Sequence, residues 1–321
     1  MKLVVITGCL GFIGSHITRL CLENRWKVLG IDKCTYAANE GLLTEFNAHK
    51  NFTFLKEDIC NLKFLPDCDY VINTAAETHV GNSIIDSSDF VRSNIDGVKN
   101  LLELIRHKPE NVSQKPILFH ISTDEVYGDI AFNKHMETDL LNPSNPYSAS
   151  KAAADLLITA WSRTYGVDYI ILRPTNNYGI GQYPEKFIPL SVKALLRNKK
   201  IRLHDAGMPV RNWLHAKDTA LGVAKIINAG VINEVYNISG GFEQQNIDTV
   251  KQIINCYYNN DGDKEYEQWK ELLNLDYMRP GQDVRYALDD SKLKNLGWSP
   301  KYQFSEEINT IVQFYKNNFR W

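Results

Sequence analysis

The sequence predicts an α/β fold, a doubly wound parallel sheet with a smaller α/β region attached. Three observations predict it. Short β-rich apolar runs recur between longer helical stretches through the first half of the chain: Lys2–Thr7, Lys27–Ile31, Phe52–Leu55, Tyr70–Asn73, Ile117–Ile121 and Tyr169–Leu172. Runs without polar alternation suit strands covered by helices on both faces. The first run passes through Gly8-Cys9-Leu10-Gly11-Phe12-Ile13-Gly14 into an amphipathic helix reaching about Asn24. After Pro174 the alternation becomes irregular, which places the smaller region there; Ala220–Ala229 and Val235–Ile238 read as a helix and a strand returning to the sheet.

The turn carries the first chemistry. Gly8 permits a tight turn, Gly11 lets backbone approach a pyrophosphate, and Gly14 lets the helix pack close to the sheet. The helix N-terminus offers backbone N–H groups and a positive dipole end to phosphate. The second strand ends at Asp32, whose carboxylate would accept hydrogen bonds from an adenosine ribose and repel a 2′-phosphate. Strand, glycines, helix, strand and acid in that order define a Rossmann-type nucleotide site, with NAD favoured over NADP.

The second chemical stretch is His120-Ile121-Ser122-Thr123-Asp124-Glu125-Val126-Tyr127-Gly128. It delivers two hydroxyls and two adjacent acids at a strand's carboxyl end, where ligands bind in open parallel sheets. Neighbouring carboxylates repel, so burying both is costly unless chemistry uses them. The loop Pro143–Pro146 then leads into a helix from Tyr147 to about Tyr165, and Tyr147 and Lys151 lie one turn apart on it. An ammonium near a phenol favours the phenolate, a base able to take a hydroxyl proton as hydride leaves the same carbon. Ser122 or Thr123 would hydrogen-bond that hydroxyl.

Composition limits the alternatives. The chain has 321 residues, 44% hydrophobic, with a net charge of -2, and this gives no reason for a nucleic-acid or anionic-membrane partner. No apolar run is long enough to span a bilayer. Six cysteines occur without CxxC or metal-like spacing, as expected of reduced thiols in a cytoplasmic protein that binds no metal. Met1 leads almost directly into the first strand, leaving no room for a signal peptide.

The Gly-x-x-Gly-x-x-Gly spacing, with the Tyr-x-x-x-Lys pair, resembles the extended short-chain dehydrogenase/reductase family. That resemblance implies an NAD-binding Rossmann domain over 1–174, with 212–240 returning to it, and a substrate-binding region over 175–211 and 241–321. It implies cofactor contacts from Gly8, Gly11, Phe12, Ile13, Gly14, Asp32, Lys33, Thr35, Asp58, Ile59, Thr74, Ala75, Ala76, Thr78, Asn94, Ser122, Tyr147 and Lys151. Asn94 falls on a long helix expected from Ser88 to Arg106.

Asp124 and Glu125 narrow the reaction. Thr-Asp-Glu followed by Val-Tyr-Gly resembles nucleotide-sugar 4,6-dehydratases, above all the dTDP-glucose group. So do Asp32-Lys33-Cys34-Thr35-Tyr36-Ala37, Ala76-Glu77-Thr78-His79-Val80, Asn177-Tyr178-Gly179, Pro184-Glu185-Lys186, Val210-Arg211-Asn212-Trp213-Leu214 and Arg279-Pro280-Gly281. The resemblance implies a hydro-lyase of deoxysugar biosynthesis that recycles NAD internally. Its catalytic residues would be Thr123, Asp124, Glu125, Tyr147 and Lys151, with Asp124 protonated and Glu125 ionised. Its substrate residues would be His79, Thr123, Asn177, Glu185, Lys186, Phe187, Arg202, His204, Arg211, Asn246 and Arg279, with the arginines Arg211 and Arg279 on the diphosphate. A homodimer through the helices Ser88–Arg106 and Tyr147–Tyr165 is also implied. Members often read His-Val-Asp-Arg-Ser where this chain reads His79-Val80-Gly81-Asn82-Ser83. Glycine there would admit a bulkier sugar substituent, so dTDP-glucose, UDP-glucose and UDP-N-acetylglucosamine all stay open. Subsequent carbon-5 epimerisation and a UDP-sugar 4-epimerase remain the alternatives.

Overall fold

The structure, a computed structural model, describes residues 1–109, 115–259, 269–277 and 283–319. Its strands in chain order are β1 (Leu3–Thr7), β2 (Lys27–Asp32), β3 (Phe52–Lys56), β4 (Tyr70–Asn73), β5 (Ile117–Ile121), β6 (Tyr169–Pro174), β7 (Asn176–Tyr178), β8 (Ile201–His204), β9 (Val210–His215), β10 (Glu234–Ile238), β11 (Phe242–Gln245) and β12 (Leu273–Tyr277). Seven form one sheet in the order β10-β6-β5-β4-β1-β2-β3. Every pairing in it is parallel.

Alternate residues of β1 supply two different cores. Val4 and Ile6 pack with Ile17, Leu172 and Val223, whereas Val5 packs with Val71, Leu101, Leu118 and Ile158. A strand covered on both faces gains apolar burial from every residue, so β1 is apolar from Leu3 to Ile6 and turns polar only at Thr7. The sheet order reverses between β1 and β4. In doubly wound sheets the crevice outside this point takes the ligand.

A three-stranded sheet β11-β9-β7 and the pair β12-β8 form the smaller layer. Its core gathers Tyr178, Trp213, Ile253, Phe304 and Val312. The expected boundaries differ in two places. Residues 212–215 complete β9 and so belong to the small sheet, and the chain re-enters the large layer with the helix Ala216–Ala229. Within 241–321, Leu293 and Trp298 pack into the core of the large sheet; Trp298 also donates to the Asp218 carbonyl at 3.2 Å.

The expected helix over 88–106 is continuous but not uniform. Ser88–Phe90 and Gly97–Arg106 are α-helical, and Val91–Asp96 widens into a π-helical turn. Such turns disturb the regular spacing of side chains and often mark sites of function. Here the turn carries Asn94.

Candidate active site

The cofactor side begins at the glycine turn. Gly8 has φ +70°, and a Cβ there would lie 2.7 Å from the Ala75 nitrogen. A Cβ on Gly14 would sit 2.1 Å from the Gly8 carbonyl oxygen. Only glycine permits this approach of β1, β4 and the helix Phe12–Glu23, which begins after Gly11 without a side-chain cap and without an acid in its first turn. Its free N–H groups suit a diphosphate.

A cleft opens beside this turn. Gly8, Gly11, Asp32, Lys33, Thr35, Asp58, Ile59, Thr74, Ala75 and Ala76 line it, together with Glu77 and Ser93. Asp32 also builds the cleft: one carboxylate oxygen accepts from Leu10 N at 3.0 Å and the other from Cys34 N at 2.8 Å. Burial raises its pKa. Lys33 donates to the Ser93 hydroxyl at 2.9 Å, which closes one wall. The residues present therefore fit a dinucleotide: a diphosphate cradle, a ribose carboxylate and a small-residue floor.

Asn94 works as a clamp. Its side-chain oxygen accepts from Glu77 N at 2.9 Å, and its amide donates to the Glu77 carbonyl and to the Ser150 hydroxyl. Phe12 and Ile13 open the first helix, and Thr78 accepts from Lys186 through both its carbonyl and its hydroxyl.

The chain leaves β5 and enters a short helical turn, Asp124–Tyr127, that Thr123 caps by accepting from Glu125 N at 3.3 Å. The Thr123 hydroxyl donates to the Asp124 carboxyl at 3.1 Å. The other Asp124 oxygen is buried without a hydrogen-bond partner. Burial, and then the charge of Glu125, push the Asp124 pKa up to about 8. Asp124 is thus an acid at neutral pH, as the sequence expectation required. Glu125 accepts from the Asn145 amide at 3.4 Å.

Tyr147 follows Pro146 in the helix Pro146–Tyr165, whose start is fixed by a reciprocal cap between Asn145 and Ser148. Its phenol is buried, and burial followed by the Glu125 charge raises its pKa, against a hydrogen-bonding contribution from Thr123 that lowers it. Lys151 differs from expectation. Its nitrogen donates to the Ile121 carbonyl at 2.7 Å and meets His120 Nε2 at 3.1 Å. Burial lowers the Lys151 pKa to about 8. Ser122 likewise commits its hydroxyl to Asp155 at 3.0 Å, which leaves Thr123 as the hydroxyl facing Tyr147.

Beneath the site lies a buried polar network that sequence reading missed. His120 joins Lys151 to Asn73, and Asn73 accepts from the Thr7 hydroxyl at 2.6 Å. Asp155 pairs with Arg173 at 2.9 Å, Arg173 donates to Tyr127, and Tyr127 donates to Asn237. The signal available was polar residues inside runs that otherwise read as core, His120 in β5 and Arg173 in β6.

On the substrate side, Arg211 is buried, donates to the Asp283 carbonyl at 3.2 Å and lies 4.9 Å from the Tyr286 ring centroid. Its charge lowers the Asp124 pKa against the larger effects of burial and Glu125. Tyr286 and Ser144 both donate to the Asp283 carboxylate, which pins the segment after residue 282 onto the loop that leads into the helix Pro146–Tyr165. Lys186 lies 3.6 Å from Glu185, and burial lowers its pKa. Glu185 in turn hydrogen-bonds Tyr36, whose ring packs on Tyr183 at 5.3 Å. His79 caps the helix Val80–Ile85 by accepting from Asn82 N. Asn177 spends its amide on Thr175 and accepts from Thr219. Phe187 stacks on Trp213, and Asn246 opens the helix Asn246–Tyr258. Arg202 and His204 lie on β8, in the smaller layer. Arg279 lies outside the described residues.

A dinucleotide cleft beside a Thr–Tyr–Lys site defines an extended short-chain dehydrogenase/reductase. The chain belongs to the GDP-mannose 4,6 dehydratase family, whose sequence model matches residues 5–311. Among curated relatives, a probable dTDP-glucose 4,6-dehydratase of Sinorhizobium fredii is 38% identical over 330 residues, covering 99% of this chain and 94% of that protein. The dTDP-glucose 4,6-dehydratase of Neisseria meningitidis is 38% identical over 339 residues, covering 100% and 95%. Among solved structures, a dTDP-glucose 4,6-dehydratase of Streptomyces venezuelae with NAD bound superposes with a TM-score of 0.89 at 34% identity, over 98% of this chain and 97% of that one.

Proposed function

We propose that this protein converts dTDP-glucose to its 4-keto-6-deoxy form. It is a nucleotide-sugar 4,6-dehydratase, a hydro-lyase that uses NAD. The observation that carries the chemistry is Asp124: buried beside Glu125, with a pKa of about 8, it is a proton donor where a plain dehydrogenase or a 4-epimerase needs none. The choice of dTDP-glucose rests on relatives that cover nearly the whole chain.

NAD, when bound, would supply the reversible hydride acceptor that oxidation at carbon 4 and reduction at carbon 6 require. Gly8, Gly11, Gly14 and Asp32 would hold it. The chain's own residues move the protons. Tyr147 takes the proton of the 4-hydroxyl while Thr123 orients that oxygen. The new ketone acidifies carbon 5, and Glu125 removes its proton. Asp124 protonates the 6-hydroxyl so that water departs, and carbon 5 regains its proton from Glu125. Arg211 and Lys186 are the cations for the diphosphate and the sugar hydroxyls, and Arg211 suits the first role through its planar fork.

Two further readings belong to this proposal. A homodimer would cover Val91, Leu156 and Tyr165, which are exposed on the helical segments Val91–Asp96 and Pro146–Tyr165. A cytoplasmic location agrees with six unpaired cysteines; among the described residues no helix is long and apolar enough to cross a membrane.

Mass spectrometry after incubation with NAD and each of dTDP-glucose, UDP-glucose and UDP-N-acetylglucosamine tests the function. Loss of one water from dTDP-glucose, with no net NADH, is the expected result. An unchanged mass with a shifted proton spectrum would mean epimerisation instead.

A further inference from the structure

Asn145 caps the helix Pro146–Tyr165, just before Tyr147. Its side-chain Oδ1 accepts from Ser148 N at 3.0 Å. A backbone N–H can only donate, so the amide oxygen is committed to that side. The –NH₂ end must then face away from the helix, and there it finds acceptors. Nδ2 donates to Glu125 Oε2 and to Ser144 Oγ, each at 3.4 Å. Ser144 spends its own hydrogen on the Asp283 carboxylate at 2.6 Å, so its oxygen is left to accept. The surroundings thus fix each of these polar roles, and Asn145 is buried at 6% exposure.

A helix cap needs an acceptor and nothing more. Serine or aspartate would serve about as well as asparagine. What asparagine adds is the pair of N–H donors, and one of them is spent on Glu125. An N–H donor stabilises a carboxylate in its charged form and restricts the directions it can take. Hydrogen bonds to such a carboxylate are often long before the substrate is in place and tighten around it.

We infer that Asn145 is a positioning residue for Glu125: resting on the proposed dehydration, its amide holds Glu125 as the ionised base for carbon 5 and ties that base to the start of the helix that carries Tyr147. Asn145 moves no proton of its own, because an amide neither gains nor loses one at neutral pH. The acid pair receives unequal neighbours, the Thr123 hydroxyl on Asp124 and the Asn145 amide on Glu125. The charge held on Glu125 in turn helps Asp124 to keep its proton, second only to burial.

Stopped-flow NADH absorbance, rapid-quench product analysis and thermal unfolding of the NAD-loaded wild type, Asn145→Ser and Asn145→Asp test this, with dTDP-glucose carrying hydrogen or deuterium at carbon 5. Serine keeps the cap and removes the donor, so its Tm should stay close to the wild type's. Asn145→Ser should slow water loss about 10-fold more than it slows NADH formation, so that NADH absorbance accumulates. Its deuterium effect on water loss should exceed that of the wild type. Asn145→Asp keeps the cap and sets a carboxylate oxygen against Glu125 in place of the donor, and it should lose water more slowly still. Equal rates in all three proteins, or NADH formation and water loss that fall in step, would overturn the inference and leave Asn145 as a helix cap alone. A wild-type enzyme that releases no water from any nucleotide sugar would overturn the proposed function, and this inference with it.

Discussion

Asn94 donates to the Ser150 hydroxyl at 2.8 Å and so ties the π-helical turn to the helix carrying Tyr147 and Lys151. The same amide and its oxygen hold both backbone groups of Glu77 at the cleft wall. The cleft wall and the helix Pro146–Tyr165 thus share one fully buried side chain. Asn94→Leu would leave the Glu77 N–H and carbonyl and the Ser150 hydroxyl without that partner, at a cost of about 1–3 kcal/mol for each group that water cannot reach. The expected outcome is a lower Tm together with a fall in kcat, measured by thermal unfolding and steady-state assay. Loss of stability with unchanged kcat would show that the clamp serves folding alone.

Asp124→Asn separates the two halves of the reaction. The amide is nearly isosteric and cannot donate the proton that expels water, so hydride transfer should persist and NADH absorbance should accumulate. Water loss should fall by ~10²–10⁴-fold. In the wild type, the protonated acid is present below pH about 8 and is lost above it, so water loss should decline as pH rises through that value. Stability follows the opposite sign from an ordinary paired carboxylate. A raised folded pKa means that the unfolded state ionises first, so the penalty is absent below the unfolded pKa and grows until about pH 8. Asp124→Asn should therefore melt higher than wild type by a margin that widens from pH 5 to pH 8. A margin independent of pH would contradict the buried-acid assignment.

Tyr147→Phe should abolish the first step, with no NADH formed at any pH, because phenylalanine can take no proton from the 4-hydroxyl. Equal NADH formation by Tyr147→Phe and Asp124→Asn in a single-turnover absorbance trace would overturn the division of roles.

The sheet and the cofactor turn were legible because their signals are local. Apolar runs mark β1 to β6, and glycines fall where backbone must approach backbone. The acid pair was legible because adjacent carboxylates at a strand end are costly without a use. What stayed hidden is long-range. Tyr286 and Ser144 meet Asp283 across a separation of 139 residues between Ser144 and Asp283, and no periodicity records such a pairing. His120 was concealed inside a run that otherwise reads as core, although burial of an imidazole beside Lys151 requires partners such as Asn73. The direction taken by Lys151 was invisible for the same reason. Helical spacing places it one turn from Tyr147, but the carbonyl of Ile121 and the ring of His120 decide where its nitrogen rests.

Gly81 offers a test of substrate choice. A Cβ there would lie 3.0 Å from His79 Cε1, tighter than ordinary contact, so an aspartate must displace the His79 ring by a few tenths of an ångström. Gly81→Asp should then lower kcat/KM for UDP-N-acetylglucosamine more than for dTDP-glucose. Competition between the two substrates, read by mass spectrometry, measures the ratio; an unchanged ratio would remove Gly81 from the specificity determinants.

Gly11 and Gly14 should respond differently to the same substitution. At Gly14 a Cβ meets the Gly8 carbonyl at 2.1 Å and the Thr74 hydroxyl at 2.5 Å, so the helix must move off the sheet. At Gly11 the backbone has φ -74°, open to any residue, and the nearest atom to a Cβ is the Gly8 carbonyl at 3.2 Å. That contact is tight, so the Gly8 carbonyl must give by a few tenths of an ångström, far less than the clash at Gly14 demands, and the methyl occupies the approach that a diphosphate needs. Gly14→Ala should therefore lower both Tm and NAD retention, by an overpacking cost of about 1–3 kcal/mol. Gly11→Ala should lower the Tm of the cofactor-free protein much less than Gly14→Ala does and still lose NAD affinity. Equilibrium NAD titration beside thermal unfolding distinguishes the two, and an unaltered NAD affinity in Gly11→Ala would mean that the phosphates lie elsewhere than at this helix N-terminus.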